Sequence, residues 1–169
     1  WSFTHSKVDK QFSKGEKDIP IYNPISNDLD VLRRSIFSNL AIHLKKNQDR
    51  GYEDLSIFEI GPTFFGKNPG EQQIVLGALK SGKMVRKSWI EKDREIDVFD
   101  IKSDAMKSLI ELGISSKDLF VSDNTKPCYH PGRSGSITLK SEKGPHLAYF
   151  GEIHPAIIKK LDFKLQNVY

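Results

Sequence analysis

The chain has 169 residues, 37% of them hydrophobic and 28% charged, with a formal net charge of +4. A chain of this size folds around a full core, burying roughly 70% of the surface its unfolded form exposes, and this mix is neither disordered nor membrane-embedded. One cysteine, Cys128, excludes an internal disulfide framework and a multi-cysteine zinc site, and the mild positive charge is compatible with an RNA-containing assembly without requiring one.

Residues 1–25 mix short apolar pieces with the polar run Ser13–Asp18, which is predicted to turn between two strands. The opening Trp1-Ser2-Phe3-Thr4-His5 has no basic segment before an apolar block and so is no signal peptide. It reads as the middle of a longer protein. Asn23-Pro24 marks a stop. Ser26, Asn27 and Asp28 are capping types, and with Asp28 and Asp30 near the positive end of a dipole they predict the start of an amphipathic helix. Leu29, Leu32, Ile36, Leu40 and Leu44 form its stripe, and Lys45, Lys46, Arg50 and Gly51 close it. Val31, Phe37, Ala41 and Ile42 spill outside that stripe, so the helix is covered on more than one side, by a partner or by its own fold.

Leu55–Ile60 reads as a strand ending at Gly61-Pro62, Gly66–Gly70 as a turn, and Ile74–Leu79 as a continuous apolar strand. Residues 80–95 are an exposed charged excursion around Trp89. Lys80, Lys83, Arg86, Lys87, Lys92 and Arg94 could meet RNA phosphates there, though Glu91, Asp93 and Glu95 dilute them. Ile96–Ile101 is predicted as a strand, followed by a helix capped by Ser103 and closed by Gly113. Leu119–Val121, Ser136–Leu139 and Leu147–Phe150 read as strands, and Pro155 opens a short helix with Ile157, Ile158 and Leu161. Strands joined by short turns, without regular strand–helix alternation, predict an α+β fold: one domain over residues 1–169, a largely antiparallel sheet with helices packed on it.

His130-Pro131-Gly132-Arg133-Ser134-Gly135-Ser136 is either an anion-holding turn or a tight entry into the next strand with Arg133 paired to a nearby acid. Cys128 and His130 are a nucleophile and base by type, or an inert thiol and a neighbour, with no third member in view. The five histidines show no metal-ligand spacing, and no phosphate-loop or dinucleotide glycine pattern is present.

Taken in order, several runs resemble the beta chain of bacterial phenylalanyl-tRNA synthetases. They are Trp1-Ser2-Phe3, Asn23-Pro24-Ile25-Ser26, Leu32-Arg33-Arg34-Ser35, Asn47, Arg50-Gly51 and Phe58-Glu59-Ile60-Gly61. Then come Trp89, Asp97–Lys102, His130–Ser134 and Gly151-Glu152-Ile153-His154-Pro155. The resemblance implies a fold like the catalytic domain of class II aminoacyl-tRNA synthetases. It further implies a degenerate copy that pairs with an alpha chain holding the site for phenylalanine and ATP with magnesium, in a cytoplasmic heterotetramer that meets tRNA as a whole. No catalytic, cofactor or metal residue is implied in this stretch, and no membrane.

As aligned, the alpha-chain pattern Gly-Arg-aliphatic-aromatic-Arg meets Gly61-Pro62-Thr63-Phe64-Phe65 here. Both arginines are missing, and a phenylalanine cannot neutralise a phosphate. A metal-linked helical domain before Trp1 and an anticodon-binding domain after Tyr169 are the expected neighbours. On this reading Leu32, Arg33, Ile36, Phe37, Leu40, Asn47, Phe58 and Glu59 are interface candidates. His130, Pro131, Gly132, Arg133, Ser134, Glu152, His154 and Pro155 form a structural motif loop, with Glu59 and Arg133 as paired polar anchors. A stand-alone RNA-binding domain and a small Cys128 hydrolase are the rival functions.

Overall fold

Helical structure begins earlier than the polar run suggests. β1 (Phe3–Thr4) ends at His5, whose Nδ1 accepts a bond from the Lys7 amide (3.2 Å) and so caps α1 (Ser6–Phe12). Ser13–Asp18 therefore links a helix, not a strand, to β2 (Ile19–Pro20). The computed structural model describes residues 1–85, 89–90, 92–165 and 167–169. They divide into two units: Trp1–Ser81 with Lys159–Gln166, and Gly82–Ile158 with Asn167–Tyr169.

In the first unit, the expected helix start at Asp28 gives way to a strand. β3 (Val31–Leu32) lies between β1 and β2, pairing antiparallel with both. Asp30 accepts bonds from the Ser6 amide and hydroxyl (2.7 Å each), so it serves the first amide of α1 rather than the start of α2, and the Asp28 amide donates to Ser26 Oγ in a local turn. The long helix α2 (Phe37–Asp49) begins only after the chain has crossed α1. Its entry is set by Asp9, a buried α1 residue. That carboxylate accepts from the Arg34 and Ser35 amides (3.3 Å each) and from the Ser13 (3.2 Å) and Ser38 (2.6 Å) hydroxyls. Asp9 thus anchors the segment leading into α2, whose first amide, that of Phe37, donates to Ser35 Oγ (3.3 Å); a contact from another helix leaves no local signature, so the sequence places the start too early. The closing end stands as expected, at Arg50 and Gly51.

β4 (Leu55–Phe64) and β5 (Gln72–Ser81) form a continuous antiparallel hairpin from Leu55 opposite Ser81 to Phe64 opposite Gln72. β4 thus runs through Gly61-Pro62 rather than ending there. In the connecting turn the Glu71 carboxylate accepts from the Asn68 amide (2.8 Å) and side chain (3.0 Å). These bonds hold its carboxyl below the usual glutamate range. α2 packs on one face of the hairpin through Ile36 and Leu40. Gly77 is required there, because a Cβ at that position would stand 2.2 Å from Ile36 Cγ2.

The second unit opens with β6 (Lys83–Val85) paired to β7 (Arg94–Glu95). Of the charged excursion between them, Arg86, Lys87 and Glu91 lie outside the described residues, Trp89 is exposed, and Lys83 pairs with Asp93 at 2.6 Å. The predicted strand Ile96–Ile101 is instead the start of α3 (Val98–Glu111). Asp97 accepts from the Phe99 and Asp100 amides while Asp100 reaches back to the Asp97 amide, a reciprocal cap. It starts the helix six residues before Ser103, and a short apolar run cannot by itself tell strand from helix.

A 3-10 turn (Ser116–Asp118) leads to β8 (Leu119–Ser122), β9 (Tyr129–Leu139) and β10 (His146–Ile153). These form an antiparallel sheet in the order β10-β9-β8. α3 packs on one face, where Val98, Ile101, Ala105, Met106 and Leu109 meet Leu119, Ile137 and Phe150. α4 (Pro155–Lys160) begins with Pro155, as its missing amide proton permits. The molecule is α+β with antiparallel sheets. Among the described residues no helix is long and apolar enough to cross a membrane.

Candidate subunit interface

Strand alternation gives the β4–β5 hairpin two chemically similar faces. Odd-numbered residues face α2, and Leu79 among them is 1% exposed. Even-numbered residues face away. Phe58, Ile60, Ile74 and Leu76 are 72, 65, 68 and 51% exposed, and the register sets Ile60 opposite Leu76 and Phe58 opposite Ala78. A contiguous apolar strand face of this kind is uncommon on a lone soluble protein.

The interface candidates fall into two groups around this hairpin. Leu32 is in β3; Ile36 and Leu40 are buried between α2 and the sheet. The Phe37 ring lies 5.9 Å from that of Phe12, and Asn47 bonds back to the His43 carbonyl (2.8 Å). Phe58 alone of the eight stands on the open face. Ile60, Ile74 and Leu76 complete that face and were not singled out from sequence. Their signal was available: Ile74–Leu79 is apolar at every position, the pattern of a strand buried on both sides.

Arg33 is almost wholly buried, yet charged. Its Nη1 pairs with the half-buried Glu59 and its Nε donates to the Pro62 carbonyl at 2.8 Å. Gly61-Pro62-Thr63-Phe64-Phe65 carries no basic side chain, and Arg33, which packs against Gly61, is spent on these internal contacts. The hairpin residues therefore do not fit a nucleotide phosphate and its magnesium ion, and no chemical step is derived through them.

In the second unit the motif residues come together although 17 residues separate the two runs, His130–Ser134 and Glu152–Pro155. Ser134 pairs with Gly151 and Tyr129 with Ile153, so the four residues His130–Arg133 of β9 stand against the single residue Glu152 of β10. The expected entry loop is thus an outward bulge inside a strand. Gly151 permits it: its φ is +148° and a Cβ would lie 2.3 Å from that of Ser134. The bulge brings Arg133 Nε to 2.8 Å from Glu152 Oε2; the Arg133 side chain is half exposed and that of Glu152 is 3% exposed. Arg133 is therefore paired to a nearby acid, but not to Glu59, because each of the two expected anchors already has its own buried partner.

His130 Nδ1 accepts from the Gly132 amide (3.0 Å) and His154 Nδ1 from the Ala156 amide (3.1 Å), so both rings close local turns. Burial pushes the neighbouring Cys128 thiol up to about 11, which leaves no thiolate at neutral pH and no nucleophile for His130 to serve. Among the described residues no group of three histidines, cysteines or acids is placed to hold a metal ion.

Comparison with known proteins supplies what this geometry alone does not. The family model described as "Phenylalanyl tRNA synthetase beta chain CLM domain" matches residues 1–169. The chain is 42% identical over 164 residues to the phenylalanine–tRNA ligase beta subunit of Rhodospirillum rubrum, 97% of this chain and 20% of that protein. It is 38% identical to the same subunit of Paramagnetospirillum magneticum over 97% of this chain and 20% of the relative. For Bartonella henselae the identity is 35%, over 96% and 20%. The chain spans about a fifth of the length of the curated relatives it matches. With its ordered motifs placed and matched end to end, the chain belongs to the family of phenylalanyl-tRNA synthetase beta chain CLM domains.

Proposed function

We propose that this domain is a non-catalytic module of a phenylalanine–tRNA ligase. It braces the catalytic alpha subunit in a cytoplasmic heterotetramer that charges tRNA with phenylalanine at the expense of ATP. The open face of the β4–β5 hairpin carries the proposal. Covering Phe58, Ile60, Ile74 and Leu76 would release roughly 1.5–3 kcal/mol per side chain, enough to anchor a subunit contact. α2 backs that face from behind, so Ile36, Leu40 and Asn47 shape the interface together with Leu32 of β3, and Phe58 touches the partner. The Arg33–Glu59 pair fixes the strand segment that presents it. Chemistry is assigned to the alpha subunit, because residues 61–65 supply no cation for a phosphate. The class II-like fold and the reading of residues 1–169 as one domain belong to the same proposal.

The test uses the full-length beta chain carrying Phe58→Asp and Leu76→Asp, co-expressed with its alpha chain. Loss of the heterotetramer in sedimentation, together with loss of tRNA charging, is the expected result. A tetramer of unchanged affinity would place the alpha contact elsewhere. Saturable ATP binding by the 169-residue chain alone, read by calorimetry, would overturn the non-catalytic assignment.

A further inference from the structure

The second unit holds a shallow cleft of about 210 Å³ between the start of α3 and the β9 bulge, lined by Val98, Phe99, Lys102, Val121, Gly132, Arg133, Ser134 and Phe150. Its walls are mainly apolar. Phe99 is 72% exposed, and Val121 and Phe150 lie on the sheet face that α3 covers. The polar groups at its rim are already sorted by their partners. The Gly132 amide donates to His130 Nδ1 at 3.0 Å and the Ser134 hydroxyl donates to the His130 carbonyl at 2.6 Å, so neither is offered to a ligand. Lys102 and Arg133 are the remaining donors. The nearby acids Asp97 and Asp100 are held by Arg94 (3.3 and 2.8 Å) and by the helix cap, outside the lining.

Charge bookkeeping then selects the ligand. Buried Glu152 stands against the Nε side of Arg133 and balances its charge, leaving the two terminal nitrogens for a second carboxylate. Among the described residues that line the cleft, Lys102 supplies the one positive charge without an acid of its own. We propose that the cleft between Lys102 and Arg133 binds a small monocarboxylate with an aromatic or branched apolar body. A zwitterionic amino acid fits worse, since its ammonium group would face Lys102 without an unpaired acid to receive it.

The experiment is a backbone-amide NMR titration of the 169-residue chain with 3-phenylpropanoate, 3-phenylpropanol and phenylalanine. Expected are saturable shifts confined to Val98, Phe99, Lys102, Val121 and Gly132–Ser134 with the carboxylate, in the millimolar range for so few atoms. The alcohol and the amino acid should each bind about fivefold more weakly, and Lys102→Gln should weaken the carboxylate about fivefold. Lys102 is a partly exposed helix residue, so its replacement leaves the fold intact, whereas any change at Arg133 would also strand Glu152. Shifts elsewhere, no saturation, equal affinity for the three compounds, or an unaffected Lys102→Gln variant would each overturn the proposal.

Discussion

The two units use the same architecture and finish it differently. Each lays one helix across one face of an antiparallel sheet, α2 on β4–β5 and α3 on β8–β10. The opposite face of β4–β5 is apolar and open. The opposite face of β8–β10 mixes Phe120 and Tyr149 with Ser122, Ser136 and Thr138, whose hydroxyls find partners at home. Ser136 Oγ lies 3.1 Å from His146 Nδ1, and Thr138 donates to the Ser141 carbonyl at 2.7 Å. A mixed face whose hydroxyls are bonded at home gains less from cover than one of phenylalanine, isoleucine and leucine.

Each unit also sets a buried charge against a more exposed partner of the opposite sign, and the signs are reversed: Arg33 with Glu59, Glu152 with Arg133. This reversal yields the largest predicted effect. Glu59→Ala strands a guanidinium and Arg133→Ala strands a carboxylate, each at about 3–5 kcal/mol in a denaturant melt. A stranded carboxylate can be neutralised by a proton, while a guanidinium cannot lose one. Adding Glu152→Gln should therefore recover part of the Arg133→Ala deficit in the same melt. No recovery would remove the stranded carboxylate as its cause.

A smaller effect separates the two outer faces. Phe58→Asp with Leu76→Asp should change the stability of the isolated chain by no more than about 0.5 kcal/mol per site, as at ordinary exposed positions. A larger loss in thermal melts would mean that the face is covered within the chain itself. Smallest is the response of Cys128. With its folded pKa near 11, above that of a free thiol, the unfolded state ionises first, so the thiol's contribution to stability is lost as pH rises from about 9 towards 11. At neutral pH its alkylation should track global unfolding; rapid labelling of the native chain would show that the β9 entrance opens locally.

Much of this was legible from residues alone. The apolar spacing of α2, the turn at Gly66–Gly70, the three sheet strands of the second unit and the ordered family motifs all follow from local pattern. What escaped depends on contacts between distant residues. Asp9 anchors the segment before α2 from a helix some 25 residues earlier. Glu152 claims Arg133 only because four residues bulge against one. Asp97-x-x-Asp100 was readable as a helix start and was outweighed by the apolar run beside it. The apolar run of Ile74–Leu79 signals a strand with two apolar faces, but which face α2 covers and which stays open follows only from the structure.

The uncovered hairpin face also makes the amount of chain a variable. On the proposed pairing, chains produced in excess of a partner would carry four large apolar side chains on a ready-made strand surface, where chaperones and proteases find unfinished folding. Supply of that partner would then set this domain's lifetime in the cell.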